Sequence, residues 1–278
     1  MTRSSSMLIP KATALASLVT IAAACLPDDT RPEPGRLRLT VTADEAIASG
    51  VTTVDGWAIT FDRFWLSLGE VRLEGDDCSP YAEGDYLRIL DLRVPGAQTL
   101  NTSYALGDCE LGFQLRAPRD DTVLGSGIDA EVETFMRTAA SDAFVTEASG
   151  VVLHVAGSAM KSEATFEFAW SFRQRFDYLC EVITFRGGDS HTLDVEIRGG
   201  ALFRDRTGDE HADLRFDPHA GADRDGDAAI TLEELDAVPL GAGSDFRTLA
   251  TRLYLGLVPQ LANLRGPDPC FVAPLAEE

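Results

Sequence analysis

Hydrophobic and polar residues alternate along most of the chain from Arg36 onward, starting with Leu37, Leu39 and Val41. A period of two is typical of strands that bury one face. The clearest run is the aromatic set Phe166, Phe168, Trp170 and Phe172. Other candidate strands are Trp65–Leu73, Tyr86–Val94, Cys109–Leu115, Val151–Val155, Thr165–Arg173, Val182–Arg186 and His191–Arg198. Short strands at close spacing predict a mainly β protein, an antiparallel β-sandwich or open barrel.

Two short segments have the composition of tight turns between these strands. Asp55-Gly56 tolerates the positive φ angles of a two-residue turn, and this predicts a hairpin within Val51–Phe61. Gly187-Gly188-Asp189-Ser190 separates two candidate strands and predicts a second hairpin loop. The aromatic run itself suits a sandwich core or a platform for apolar rings, and a core requires this alternation in any case.

Two intervals have helical rather than alternating periodicity. A short amphipathic helix is expected near residues 128–138, where Asp129 and Glu131 occupy the first turn. Its apolar face consists of Ile128, Val132, Phe135 and Met136. A second helix is expected after a Ser244-Asp245 cap, with Pro259 ending or kinking it. Its apolar stripe consists of Phe246, Leu249, Leu253, Leu257 and Leu261.

The N-terminus has the features of an export signal. Arg3 and Lys11 precede the apolar run Ala12–Ala24, which is too short to span a bilayer as a mature helix. The run ends at Cys25, and the segment resembles a bacterial lipoprotein signal. That resemblance implies removal of residues 1–24, lipidation of Cys25, a tether over 25–36 and a membrane partner in the cell envelope, the outer membrane where one exists. An ordinary signal peptide is the alternative.

The remaining cysteines support export. Cys78, Cys109, Cys180 and Cys270 are even in number, which suits two disulfides in an oxidising compartment. Three pairings are open, and the shorter loops favour Cys78–Cys109 with Cys180–Cys270. A four-cysteine zinc site is the rival, but the chain has no CxxC pair.

Charge and length limit the partners and the domain organisation. The formal net charge is −21, and removal of the signal would make the chain more acidic still. Such a chain is a poor partner for phosphate backbones, so nucleic acid is not expected. A β-sandwich domain is expected over 37–200, and a C-terminal segment over 201–278 is expected to pack on it.

The strongest chemical signal is an acidic segment that begins at Asp223. Carboxylates stand at its positions 1, 3, 5 and 12, a spacing that resembles the EF-hand calcium loop. The resemblance covers about thirteen residues and implies one Ca²⁺ ion held by side-chain and backbone oxygens, with Ile230 anchoring the loop and a helix from Leu235. The implied ligands are Asp223, Asp225, Asp227, Ala229, Thr231 and Glu234.

The loop departs from the EF-hand pattern in two respects. Ala228 stands at the sixth position, where the family has glycine because φ is positive there. Phe216–Gly221 is a poor helix, so the usual incoming helix is expected to be absent. A solvated acidic turn is the alternative for the whole loop. Asp205–Asp209 resembles the start of a second loop but has Phe216 at its twelfth position, and it is interpreted as a turn.

The sequence therefore predicts a lipid-anchored, exported calcium-binding protein, a binding or scaffold module whose C-terminal part is ordered by one ion. The first alternative is a transition-metal protein of the copper type with histidine and carboxylate ligands, among them His191, His211 and His219. The second is a carboxylate-based hydrolase of the envelope. No GxSxG, P-loop or dinucleotide motif is present, and an enzyme is not favoured.

Overall fold

A computed structural model describes residues 32–82, 84–138, 150–265 and 270–274. Residues Glu33–Glu278 cluster as one compact unit. The signal segment and Cys25 lie outside the described residues. Within the described part, no helix has the length and apolar character needed to cross a membrane.

The described residues are mainly in strands, as expected, with a few short helices. The strands are β1 (Gly35–Ala43), β2 (Val51–Thr52), β3 (Ala58–Glu74), β4 (Cys78–Ala82), β5 (Gly84–Asp91), β6 (Gln98–Leu115), β7 (Val123–Leu124), β8 (Leu153–Lys161), β9 (Ala164–Phe172), β10 (Phe176–Phe185), β11 (Ser190–Ile197), β12 (Ala229–Ile230), β13 (Ala262–Leu264) and β14 (Phe271–Pro274). The α-helices are α1 (Glu45–Ser49), α2 (Ala130–Thr138), α3 (Asp217–Ala220), α4 (Leu232–Asp236) and α5 (Leu249–Arg252).

All fourteen strands belong to one curled sheet whose main path is β12-β9-β8-β3-β6-β1-β11-β13. Most neighbours are antiparallel, as predicted, but β1 with β11, β5 with β7 and β12 with β9 are parallel pairs. The sheet is therefore mixed. The long strands β3 and β6 curl it, because each pairs with different neighbours along its length.

An irregularity at Glu70 separates the two parts of β3. Its φ of 48° is unusual for a residue with a Cβ, and the pairing register with β5 shifts between Gly69 and Val71. The Glu70 carboxylate accepts hydrogen bonds from Arg116 at 3.0 Å and pairs with Arg119 at 2.7 Å. A bulge of this kind bends a strand and increases its twist, which suits a sheet that curls on itself.

The main hydrophobic cluster includes most of the aromatic run. Phe168, Trp170 and Phe172 are buried, which confirms their role as core residues. Helix α2, predicted near 128–138, covers a smaller cluster through Val132 and Met136. Asp129 caps it by accepting hydrogen bonds from the backbone N–H groups of residues 131 and 132.

One predicted hairpin is confirmed and the other is wrong. β2 and β3 form an antiparallel pair around Asp55-Gly56, with Gly56 at φ 90°. The turn at Gly187–Ser190 exists, but β10 and β11 do not pair with each other. β10 pairs with β6 and β14, while β11 runs parallel to β1. A turn signal fixes a change of direction, and the sheet partner depends on distant residues.

The predicted C-terminal helix is shorter and begins later. Thr248, rather than Ser244-Asp245, caps α5 through a reciprocal bond with residue 251. A π-helical turn at Leu253–Leu257 and a 3-10 turn at Val258–Gln260 follow, with Pro259 in the last of them. The four leucines of the predicted apolar stripe, Leu249, Leu253, Leu257 and Leu261, are buried. Phe246, its first member, is half-buried and lies before α5, so the stripe is confirmed only from Leu249 onward.

Both favoured disulfides are present. Cys78 bonds Cys109 and Cys180 bonds Cys270, closing loops of 31 and 90 residues. The four-cysteine zinc site is therefore wrong, because every thiolate that it needs is consumed. Two disulfides are typical of proteins from oxidising compartments and fit an exported protein.

Candidate metal site

Three of the six predicted ligands come together in the acidic loop. One carboxylate oxygen each from Asp223, Asp225 and Asp227 lies within 4.8 Å of the others. Asp223 is half-buried, while the other two side chains are exposed. In the described part of the chain, no other group of three or more carboxylate, imidazole or thiol ligands is compact enough to hold a metal ion.

The loop holds these carboxylates through its own backbone. Asp223 accepts hydrogen bonds from the N–H groups of Gly226 at 2.8 Å and Ala228 at 3.3 Å. Asp225 accepts from the N–H of residue 227 at 3.1 Å, and Asp227 from the N–H of Ala229 at 2.8 Å. Short polar side chains that bond the backbone two to five residues ahead favour a tight turn, so the local sequence directs this geometry.

Ala228 adopts the conformation that glycine has in the EF-hand pattern. Its φ is 63°, in the left-handed region. An L-residue pays about 1–2 kcal/mol for this conformation. The chain therefore turns as the resemblance implies despite the substitution, and it carries some backbone strain at this point.

The last predicted ligand is engaged in capping a helix. Helix α4 begins at Leu232, earlier than the predicted Leu235, and Thr231 forms a capping box with Glu234. The Glu234 carboxylate accepts from the N–H of Thr231 at 3.0 Å and from the N–H of Arg224 at 3.3 Å. It thus bridges the two ends of the loop but lies outside the three-carboxylate group.

The segment before the loop has no full incoming helix, as expected. Phe216–Gly221 forms only the single helical turn α3 over Asp217–Ala220. The carboxylate of Asp55, in the β2–β3 hairpin, accepts hydrogen bonds from the N–H groups of Phe216 at 2.9 Å and Asp217 at 2.8 Å. A carboxylate from elsewhere in the chain therefore caps a helix too weak to form alone.

The loop is fixed to the edge of the sheet by residues that its own sequence does not reveal. β12 pairs in parallel with β9, and the carbonyl of Ala228 accepts the Glu167 N–H at 2.8 Å. The Trp170 indole donates to the carbonyl of Ile230 at 2.8 Å, and both residues are buried. Ile230 is the predicted apolar anchor. Its partners lie about 60 residues earlier, so no local motif could have indicated them.

The electrostatics favour a cation. None of the three clustered carboxylates forms a salt bridge to a described lysine, arginine or histidine. Like charges this close repel one another, and an ion between them would relieve that repulsion. The donors are all oxygens, which suits a hard cation such as Ca²⁺ rather than a metal that prefers imidazole or thiolate.

The three histidines of the transition-metal alternative are not brought together. His211 is exposed beside Glu210, whereas His219 is fully buried and stacks on Phe216. His191 lies on β11 against Phe185. Burial, with a smaller effect of Arg252, lowers the pKa of His219 to about 3, so its ring is neutral.

The Asp205–Asp209 segment and the fourth histidine of the chain, His154, have structural partners. In the Asp205–Asp209 turn, both end carboxylates pair with Arg206. This fits the interpretation of that segment as a turn. Nδ1 of His154 forms a 3.0 Å hydrogen bond with the Ser171 hydroxyl, and the imidazole ring packs against Trp65. Burial, then the charge of Arg63, lowers the pKa of His154 to about 4.

No family model matches the chain, and no curated protein matches it. Among solved structures, MbnP from Methylosinus trichosporium is a distant match at 14% sequence identity with a TM-score of 0.30. The match covers 62% of this chain and 78% of MbnP. A likeness at this level carries no functional conclusion.

Proposed function

We propose that this chain is an exported calcium-binding protein, a binding or scaffold module whose C-terminal part is ordered by one Ca²⁺ ion at Asp223–Glu234. The observation that carries the proposal is the approach of three carboxylate oxygens within 4.8 Å in a loop whose sixth residue has the positive φ of an EF-hand. Calcium takes six to eight oxygen ligands, and the loop offers that number once Glu234 contributes its carboxylate.

The proposed residues divide the work between side chains and backbone. Asp223, Asp225 and Asp227 would supply carboxylate oxygens, Ala229 its carbonyl, and Thr231 an oxygen directly or through water. Glu234 already spans the loop to the N–H of Arg224, so its carboxylate is positioned at the loop's closing end. The ion would offset two of the four negative charges and hold both ends of the loop together.

The expected role of the ion is structural. The loop pairs with β9 through β12, and α4 buries Leu232 and Leu235 in the core. Calcium would therefore fix the connection between the sheet and the C-terminal segment. Among the described residues no second loop of this kind forms a ligand group, so a paired EF-hand opening is not part of the proposal.

Thermal unfolding of the disulfide-intact protein tests this proposal. The melting temperature would be measured in EDTA, then with rising calcium, and with magnesium as a control ion. A weak extracellular-type site, with a dissociation constant of about 10⁻⁴–10⁻³ M, predicts about 1–3 kcal/mol of stabilisation at 10 mM calcium. A melting temperature that does not respond selectively to calcium would contradict the proposal.

Asp225→Asn is the informative variant because Asp225 accepts through one oxygen only, from the N–H of residue 227, and an amide oxygen can keep that bond while one charge is removed. It should keep or raise stability in EDTA, where repulsion falls, and lose the response to calcium. Glu233→Gln is the matched control, since Glu233 is exposed, neighbours the ligand Glu234 and carries the same charge change. It should retain the calcium response of the parent.

We further propose that Cys25 carries a lipid that anchors the chain to the cell envelope, the outer membrane where one exists. The support is the N-terminal signal, which resembles that of bacterial lipoproteins. Metabolic labelling with a fatty-acid analogue, followed by mass spectrometry of the N-terminal peptide, tests it directly. Cys25→Ser should abolish labelling. Labelling that persists, or a processed N-terminus other than Cys25, would contradict the anchor.

A further inference from the structure

A cleft beside β13 and β14 contains a buried arginine without a carboxylate partner. The cleft has a volume of about 460 Å³ and is lined by Arg198, Arg204, Glu210, Gln260 and Asn263, among others. Arg204 follows the 3-10 turn Gly199–Phe203 and is only 8% exposed. Its position places a guanidinium between that turn and the segment that leads into β13.

The hydrogen bonding of Arg204 is incomplete. Nη1 donates to the Gln260 side-chain oxygen at 3.4 Å, a long contact, and no described carboxylate lies within 4.0 Å of the guanidinium nitrogens. A guanidinium has five N–H donors and cannot lose its charge in a protein. Burying such a group without a counter-charge is costly, so buried arginines are normally paired or bind an anion.

The second arginine of the cleft is arranged differently. Arg198 donates to Glu196 at 2.9 Å and to Glu210 at 3.2 Å, so two carboxylates neutralise it. Burial, and then the nearby positive charge of Arg198, lowers the pKa of Arg204, while Glu210 and more distant acids oppose this shift. In a chain with a net charge of −21, the cleft thus retains one arginine that local acids do not pair.

We propose that this cleft binds a small oxyanion, a carboxylate or phosphate group of a small molecule, with Arg204 as its principal contact. The planar guanidinium matches the two oxygens of a carboxylate or phosphate, and such charge-assisted bonds are about twice as strong as those between neutral groups. Asn263, whose side-chain oxygen accepts from the Cys270 N–H at 2.9 Å, adds an amide NH2 at the same opening. Glu210 stays held by Arg198, which limits its repulsion of an incoming anion.

The site is independent of the calcium loop, since the two share no residue. Its lining includes Cys270, whose disulfide to Cys180 ties the segment before β14 to β10. A bound anion would therefore contact the segment that leads into β14, and it should stabilise the fold on binding.

Isothermal titration of the full, disulfide-intact protein with phosphate, sulfate, malonate and citrate tests the proposal, with chloride at matched ionic strength as the baseline. We expect saturable binding of at least one probe, and the ranking of phosphate against the dicarboxylates identifies the class. Arg204→Met should lower that affinity at least about tenfold, because a charged hydrogen-bond donor is removed. Arg206→Met is the matched control: this arginine is exposed, neighbours the site in sequence and should bind as the parent does.

A second variant covers the case in which Arg204→Met fails to fold. Gln260→Glu places a carboxylate where the Gln260 oxygen already accepts from Arg204, so an internal ion pair should replace the ligand and abolish binding. Binding of none of the four probes above the chloride baseline would overturn the proposal. So would equal losses in the Arg204 and Arg206 variants, or anion binding unchanged by Gln260→Glu.

Discussion

Replacing Ala228 by glycine should stabilise the protein, although glycine usually destabilises an ordered chain. Ala228 has φ 63°, where a Cβ costs about 1–2 kcal/mol. The added freedom of glycine in the unfolded chain costs about 0.4–1 kcal/mol. The difference favours Ala228→Gly by about 0.5–1 kcal/mol, or about 1–4 °C in melting temperature for a chain of this size.

The neighbouring residue supplies the control. Ala229 does not have a positive φ and pairs with Glu167 of β9, so Ala229→Gly meets the same entropic cost with no strain to relieve. It should lose about 0.5–1 kcal/mol. Both variants would be compared with the parent by calorimetry in EDTA, which separates the backbone effect from ion binding.

The opposite signs of the two variants are the test of the strain argument. If Ala228→Gly is less stable than the parent, or is destabilised as much as Ala229→Gly, the turn at residue 228 is not strained. The loop would then owe its shape to its hydrogen bonds alone. If the signs differ as expected, repeating the titration with calcium shows whether the relieved strain also affects affinity.

Three further predictions concern the core and its connections. The buried His219 ring has its pKa lowered to about 3 by burial and by Arg252, with Asp55 opposing, so the unfolded chain takes up a proton that the folded chain excludes. The contribution of the neutral ring to the free energy of unfolding is complete above pH 6.5 and is lost as the pH falls toward 3. Urea unfolding of His219→Phe should therefore show a smaller loss of stability between pH 6.5 and 4 than the parent, by about 3 kcal/mol. Parallel stability curves for the two proteins would refute this. Asp55→Ala removes the acceptor for two N–H groups at the start of α3 and should cost about 2–3 kcal/mol by chemical denaturation, whereas a loss below 1 kcal/mol would show that α3 does not need this cap. Replacing Cys180 and Cys270 by alanine opens a loop of 90 residues and should cost about 4–5 kcal/mol; an unchanged melting temperature would contradict the loop-closure estimate.

The sequence was sufficient where the controlling interactions are local. The alternation of Phe168, Trp170 and Phe172 determined a buried strand face, because successive side chains of a strand point to opposite sides. Asp55-Gly56 determined a hairpin, because that pair accepts the backbone angles of the turn. The spacing of Asp223, Asp225 and Asp227 likewise placed three carboxylates close together, since each bonds a backbone N–H a few residues ahead.

Only the tertiary structure decided the interactions that join distant parts of the chain. The turn at Gly187–Ser190 looks like a hairpin, yet its flanking strands pair elsewhere, because partner choice depends on the whole curled sheet. Trp170 bonds the acidic loop and Asp55 caps α3 across about 60 and 160 residues, distances over which sequence spacing carries no information. Arg204 is an ordinary arginine in the sequence. Its burial without a carboxylate partner, and hence its chemistry, follows solely from how the C-terminal segment packs against the sheet.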